Sequence, residues 1–359
     1  MSHDWLVRSY GKGDEEGIYE LYKTVLNSEP HRREEWKKWW LWMYMENPAG
    51  EGLIWLAEAN GKIVAQHALI PIRYKIGNEI VLGSWGMDAM THPDYRRQGI
   101  FETISTKLSI DAARKGIDIE FGFPNRFSYP GLIKKAGWYK ISSTPIELMP
   151  FNWRNILNMK INNRCISRIF AFGASMIYEN IYYRTPKAPL SSSSIVTQIT
   201  SFDDRFNRLW SRVNGQHKMM VVRDKDYLNW RFGIPGTQYI TIAAEKADEV
   251  QGYLVLKNSI LRESKVSIIF DMIAESEEVM HRLVSEAVTI SKQAGADFLT
   301  YSLVADNSYH RVLRKNGFIF LPFVKGGNFC AYSRSTQING LVIKDPKNWL
   351  VQTADSDVL

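Results

Sequence analysis

An internal repeat at half the chain length limits the folds open to this sequence more than any other feature. Residues 99–138 read GIFETISTKLSIDAARKGIDIEFGFPN and then RFSYPGLIKKAGW. Residues 277–318 read EEVMHRLVSEAVTISKQAGADFLTYSLVADN and then SYHRVLRKNGF. In the first segment, apolar residues at 100, 101, 104, 108 and 112 keep helical spacing. In the second, Val279, Met280, Leu283, Val284, Ala287 and Ile290 make one apolar helical face, and Ser276 is a candidate N-cap. Each helix is predicted to stop at a glycine, Gly116 or Gly295, that suits the left-handed position after a helix end. A short strand rich in β-formers follows, then an asparagine, a short helix and a glycine-containing ending. Gly116 and Gly295 are 179 residues apart, Asn125 and Asn307 are 182 apart, and Gly137 and Gly317 are 180 apart.

The strands upstream repeat as well. LIWLAEA, Asn60-Gly61 and KIVAQHALI predict a β-hairpin, because Asn-Gly supplies the positive φ angles of a tight turn. YITIAAE and EVQGYLVL hold the equivalent place, and VLGSWGMDAM and VSIIFDMIA predict the next strands. Each half therefore reads helix, hairpin, strand, helix, strand, helix, strand, an α/β fold (α+β mixed sheet) with helices laid on the sheet. The expected organisation is a domain at 1–150, a helical connector and linker at 151–195, a second domain at 196–335 and a C-terminal tail at 336–359. The basic, aromatic connector is expected to pack on its neighbour, with a membrane surface as the alternative.

Composition narrows the function classes. A chain of 359 residues with 45% hydrophobic and 23% charged residues reads as soluble and globular. Its net charge of +7 suits either an anionic ligand or plain solubility. Two distant cysteines, Cys165 and Cys330, give no disulfide framework, and the seven histidines do not pair at metal-ligand spacing. The polar N-terminus shows no signal peptide, and no stretch reaches the roughly 18 apolar residues of a membrane span. The expected setting is the cytoplasm, with no metal, no nucleic acid and no transmembrane segment; a homodimer is left open.

Chemistry concentrates at residues 89–101, AMTHPDYRRQGIF. A strand ends near Thr91, Pro93 breaks it, and a basic turn leads through Gly99 into a helix. The first N–H groups of a helix lack internal partners and carry partial positive charge. With Arg96 and Arg97 beside them they form either a cradle for a phosphate or a solvated basic turn.

Arg96-Arg97-Gln98-Gly99-Ile100-Phe101 resembles the R/Q-x-x-G-x-G/A pyrophosphate loop of GNAT acetyltransferases. Asn125 and the Lys134–Trp138 ending resemble the downstream asparagine and closing motif of that family. The resemblance implies two tandem GNAT-like domains, with acyl-CoA (acetyl-CoA in the simplest case) held by Met90, Thr91, Arg96, Arg97, Gln98, Gly99, Ile100, Phe101 and Asn125. It implies direct attack by a primary amine of a small molecule on the thioester. Phe101 departs from the motif's Gly or Ala, and Ile133 stands where the family has a tyrosine acid, so Tyr129 becomes the substitute candidate. Asp88 and Glu120, on presumed central strands, are the candidate bases; the alternative for each is a structural carboxylate with an arginine partner. His67 and His92 are weaker candidates.

The second half lacks the loop. IAESEEV has neither the arginine pair nor the glycine, and its three acidic groups would repel a pyrophosphate. The second half is thus expected to shape the acceptor site or support the first. Trp36, Trp39, Trp40 and Trp42, near Glu34 and Glu35, read equally as core or as the wall of an acceptor pocket. The tail, with Asp355 and Asp357, is expected to fold back across the cleft. Two other readings stay open: a tandem acyl- or aminoacyl-transferase of cell-envelope synthesis using another carrier, and a non-catalytic CoA-binding sensor or scaffold.

Overall fold

The computed structural model describes residues 4–27, 32–158, 172–178, 194–304, 307–320, 326–335 and 340–356. Cys165, Asp357 and most of the basic connector lie outside them.

Both halves follow one order of elements. The first runs β1 (Leu6–Ser9), α1 (Glu15–Leu26), α2 (Arg33–Met45), β2 (Leu53–Ala59), β3 (Lys62–Ile76), β4 (Glu79–Thr91), α3 (Ile100–Arg114), β5 (Ile117–Gly122), α4 (Tyr129–Lys135), β6 (Tyr139–Ser143) and β7 (Ile146–Pro150). After α5 (Trp153–Asn158) and the helical residues 172–178 (α6), the second runs β8 (Ile195–Ile199), α7 (Asp204–Val213), β9 (Met219–Val221), α8 (Lys225–Phe232), β10 (Ile240–Lys246), β11 (Glu249–Leu261), β12 (Ser264–Ala274), α9 (Glu277–Gln293), β13 (Phe298–Val304), α10 (Asn307–Lys315), β14 (Ile319–Phe320) and β15 (Asn328–Ser333). Only β9 breaks the correspondence. The predicted hairpin forms, with Asn60 at φ 50° and Gly61 at φ 71°, and β2 pairs antiparallel with β3.

The halves exchange their last strands. β7 leaves the first half to pair with β13, while β15 leaves the second to pair between β5 and β6. The chain then returns to the middle, where β16 (Trp349–Gln352) pairs with β9 and β13, and β9 pairs with β3. One continuous sheet results. Its α1/α2 side packs against the second half in a shared core that includes Trp36, Trp40, Tyr44, Trp85, Tyr301 and Trp349. Helix α3 covers the other face of the first half with Ile100, Ile104, Leu108 and Ala112.

The described residues of the tail therefore do not drape over a cleft. Leu350 and Trp349 are fully buried, and a strand with no solvent face is what an apolar WLVQ segment favours. The tryptophan cluster likewise resolves to core: Trp36, Trp40 and Trp42 are buried, with Trp36 on Trp40 and Trp42 on Trp230 at ring separations of 6.2 and 5.1 Å.

Candidate functional site

Strand β4 sets the geometry of the site. It pairs in parallel with β5 from Leu82/Ile117 to Trp85/Phe121, and there the pairing ends. β4 continues beside β3 as far as Thr91, so the two parallel strands part over its last six residues. Within that stretch the register slips between Gln66 and Ala68 of β3, and Asp88 takes a left-handed φ of 48°. Such a bulge adds a residue and re-aims a side chain. The Asp88 carboxylate, half-buried, accepts a 2.6 Å hydrogen bond from the Tyr44 hydroxyl of α2. Burial and the Asp88 charge hold the Tyr44 phenol well above its ordinary range, so it remains a donor.

The loop after β4 ends in two left-handed residues, Arg97 at φ 63° and Gly99 at φ 82°. Gly99 is the N-cap of α3, and no side chain caps that helix start. Alternating handedness of this kind turns successive N–H groups inward to make an anion-binding concavity. Arg96, Arg97, Gln98 and Gly99 are exposed, whereas Ile100 anchors the helix in the core. Arg96 Nε and Gln98 Nε2 donate to the carbonyls of Thr91 (3.1 Å) and Asp94 (3.2 Å), bracing the loop. His92 turns its ring toward the same loop, its Nδ1 accepting from Asp94 N at 3.3 Å.

A cavity of about 370 Å³ opens between α3, α4, β5 and β15. His67 and Phe101 stack at 5.4 Å along it, and His67 Nδ1 lies 3.1 Å from Ser105 Oγ. Burial drives the His67 imidazole down to about 4, so the ring is neutral near pH 7. Phe101, the departure from the motif, is accommodated by Gly131 of α4: a Cβ there would stand 3.4 Å from the phenyl ring. Glu120 faces the cavity but is ion-paired with Arg334, which follows β15, and its carboxyl is raised by burial against the opposing pull of that guanidinium. Its arginine comes directly after the exchanged strand, which the sequence could not place beside it.

The remaining residues take these positions. Met90 is buried on β4 and Thr91 closes that strand. Asn125 Oδ1 accepts from the Phe127 and Ser128 amides at 2.9 and 3.2 Å, which turns the chain into α4. Tyr129 is half-buried at the first position of that helix.

The second half repeats the bulge but not the opening. β12 slips register at Phe270, and its pairing with β13 ends at Ile269/Tyr301. Beyond that point β16 fills the gap: Leu303 pairs with Gln352, and Gln352 Oε1 accepts from Met272 N at 2.8 Å. Arg223 locks the insertion, lying 3.1 Å from Asp271 and 2.8 Å from Asp355, all three buried. Two residues separate β12 from α9 where eight separate β4 from α3, and Ser276 caps α9 by accepting from Val279 N at 3.3 Å.

The family profile for the acetyltransferase (GNAT) domain matches residues 6–141. A search of curated proteins returned no match. Among solved structures, the chain is similar to a conserved protein of Enterococcus faecalis V583 described as a probable N-acyltransferase. The TM-score is 0.63 at 12% identity, over 92% of this chain and 72% of that one. A GCN5-related N-acetyltransferase from Anabaena variabilis gives 0.63 at 12% identity, over 91% and 72%. The N-myristoyltransferase of Saccharomyces cerevisiae, solved with bound myristoyl-CoA, gives 0.59 at 12% identity, over 92% and 83%. These likenesses extend over both halves and show a shared fold. Residues 6–141 thus match the acetyltransferase (GNAT) domain, and the chain as a whole shares its fold with these structures.

Proposed function

We propose that the protein is an acyl-CoA-dependent N-acyltransferase whose cofactor lies on the first half and whose second half is structural. The observation that carries this reading is the pair of left-handed residues, Arg97 and Gly99, set before an uncapped helix start where β4 and β5 part. There the backbone N–H groups from Arg97 to Phe101 would receive the pyrophosphate, with the Arg96 and Arg97 guanidiniums beside it. The pantetheine arm would run along Met90 and Thr91 into the opening, where the unpaired edge of β4 offers backbone groups to its amides. A myristoyl-CoA-bound relative of like fold supports an acyl-CoA in general; acetyl is the simplest acyl group.

A primary amine would attack the thioester carbonyl carbon; the C–S bond then breaks and the amide forms. Asp88 is the base we assign, because it lies on the stretch of β4 past its pairing with β5 and Tyr44 holds its carboxylate. Glu120 serves its ion pair with Arg334 instead. The thiolate leaves near neutral pH with modest assistance, since thiols ionise near 8.5, and Tyr129 is the candidate donor of its proton.

Thermal unfolding with acetyl-CoA tests the reading. Saturation at roughly 100 times the dissociation constant adds about 2.7 kcal/mol of stability. Gly99→Glu, which puts a carboxylate against the phosphates, should erase that shift. A shift that survives in the variant would remove the cradle assignment.

A further inference from the structure

Helix α2 ends against the second half, and its last turn carries Tyr44, the partner of the assigned base. In an α-helix the amide of residue 46 would donate to the carbonyl of residue 42. Here the Glu46 amide donates to Leu41 O at 3.2 Å and passes over Trp42 O. The last carbonyls of a helix take donors from outside it, and two such donors are present. The Trp230 indole Nε1 of α8 donates to Trp42 O at 3.1 Å, and the Gly52 amide donates to Tyr44 O at 2.7 Å. The Trp42 and Trp230 rings also stack at 5.1 Å with an interplanar angle of 19°, both buried.

The Tyr44 side chain is confined as closely as its backbone. Its ring lies 4.9 Å from that of Trp40, one turn back along α2. Gly52 also borders the ring: a Cβ at that position would stand 2.9 Å from Tyr44 Cδ1. The fully buried ring carries its hydroxyl to Asp88 at 2.6 Å. Residues two apart on a helix point in nearly opposite directions. Trp42 therefore faces α8 while Tyr44 faces β4, and the turn between them is one rigid piece. A shift of Trp42 against Trp230 moves the Tyr44 hydroxyl against Asp88.

We infer that Trp230 is a positioning residue for acyl transfer: by capping α2 at Trp42 O and stacking on the Trp42 ring, the second half sets Tyr44 against Asp88. The inference rests on the acyltransferase reading above, with Asp88 as the base. Displacing a catalytic group by a fraction of an ångström slows the chemical step without loosening the ligands, so the effect belongs in kcat.

The test uses the intact protein with acetyl-CoA and a panel of primary amines, read by thiol release, with acetyl-CoA binding read by calorimetry. Trp230→Phe keeps a ring for Trp42 and has no N–H to donate. It should lower kcat by about three- to tenfold, the usual worth of one hydrogen bond, with KM for the amine and acetyl-CoA affinity unchanged. A double-mutant cycle with Tyr44→Phe separates positioning from general loosening. In the Tyr44→Phe background, Trp230→Phe should cost nothing further in kcat, because no hydroxyl is left to aim, while its cost in thermal stability persists. An equal fall in kcat in both backgrounds, or an undiminished kcat in W230F alone, would overturn the inference. If W230F does not fold, Trp42→Phe weakens the same stack from the α2 side and takes its place in the cycle. Failure of acetyl-CoA to bind, or of every amine to turn over, would instead overturn the acyltransferase reading. The crystal structure of the folded variant then decides the positioning by itself: a Tyr44–Asp88 contact lengthened beyond hydrogen-bond distance upholds it, and one retained at 2.6 Å overturns it.

Discussion

The Tyr44 hydroxyl donates to the Asp88 carboxylate across 2.6 Å, joining helix α2 to the bulge of β4. Asp88 is one of only a few non-glycine residues of the described chain in the left-handed region, and strain of this kind tends to collect at working sites. Asp88→Asn should therefore lower kcat by about 10²–10⁴, the usual worth of a positioned base, with acetyl-CoA binding unchanged. Tyr44→Phe should cost several-fold in kcat and about 1.5–3 kcal/mol of stability, as for a lost hydrogen bond to a charged group. Steady-state kinetics and urea unfolding check both.

The loop should show a conflict between stability and binding. Arg97 is held at φ 63°, where a side chain costs roughly 1 kcal/mol that glycine avoids. Arg97→Gly should leave the free protein as stable as before or slightly more so, yet weaken acyl-CoA binding, because the guanidinium is lost. Calorimetry of unfolding and of binding on the same sample reads the two effects apart.

The inserted strand should prove indispensable to the fold. Asp355→Ala leaves the Arg223 guanidinium buried with a single carboxylate, and breaking such a pair costs about 3–5 kcal/mol. Trp349→Ala, at a fully buried position, should cost a similar 3–5 kcal/mol. A tail lying loosely across a cleft would lose far less in either variant.

Acid sensitivity should carry a signature of His67. Its folded value near 4 lies below the ordinary 6.5, so the unfolded chain takes up the proton first. The stability this contributes is complete above pH 6.5 and is lost as pH falls toward 4, a window worth about 1–3 kcal/mol. His67→Gln removes the titration, so its loss of stability between pH 7 and pH 5 should be smaller than that of the parent protein in denaturant titrations at the two pH values.

What the sequence disclosed was local. The Asn60-Gly61 turn, Gly99 before α3 and the Ser276 cap each announce themselves within a few residues, because turn and cap chemistry is short-ranged. The repeat disclosed the order of elements. Strand partners were not legible: β7 and β15 look like ordinary closing strands, and only tertiary packing sends each into the other half. For the same reason the Arg334 partner of Glu120 and the place of Asp355 beside Arg223 stayed hidden. The tryptophans of α2 fit a core and a pocket equally well by spacing alone; Trp230 of the second half covers Trp42, while Tyr19, Tyr22 and Tyr10 of the first half cover Trp36 and Trp40.

A crystal structure with bound coenzyme A tests the central claim most directly. The account predicts the diphosphate on the backbone amides of Arg97 to Phe101, with the pantetheine arm entering between β4 and β5 beside Met90. Nucleotide bound elsewhere, with that loop turned away from it or the opening sealed by Phe101, would contradict the account.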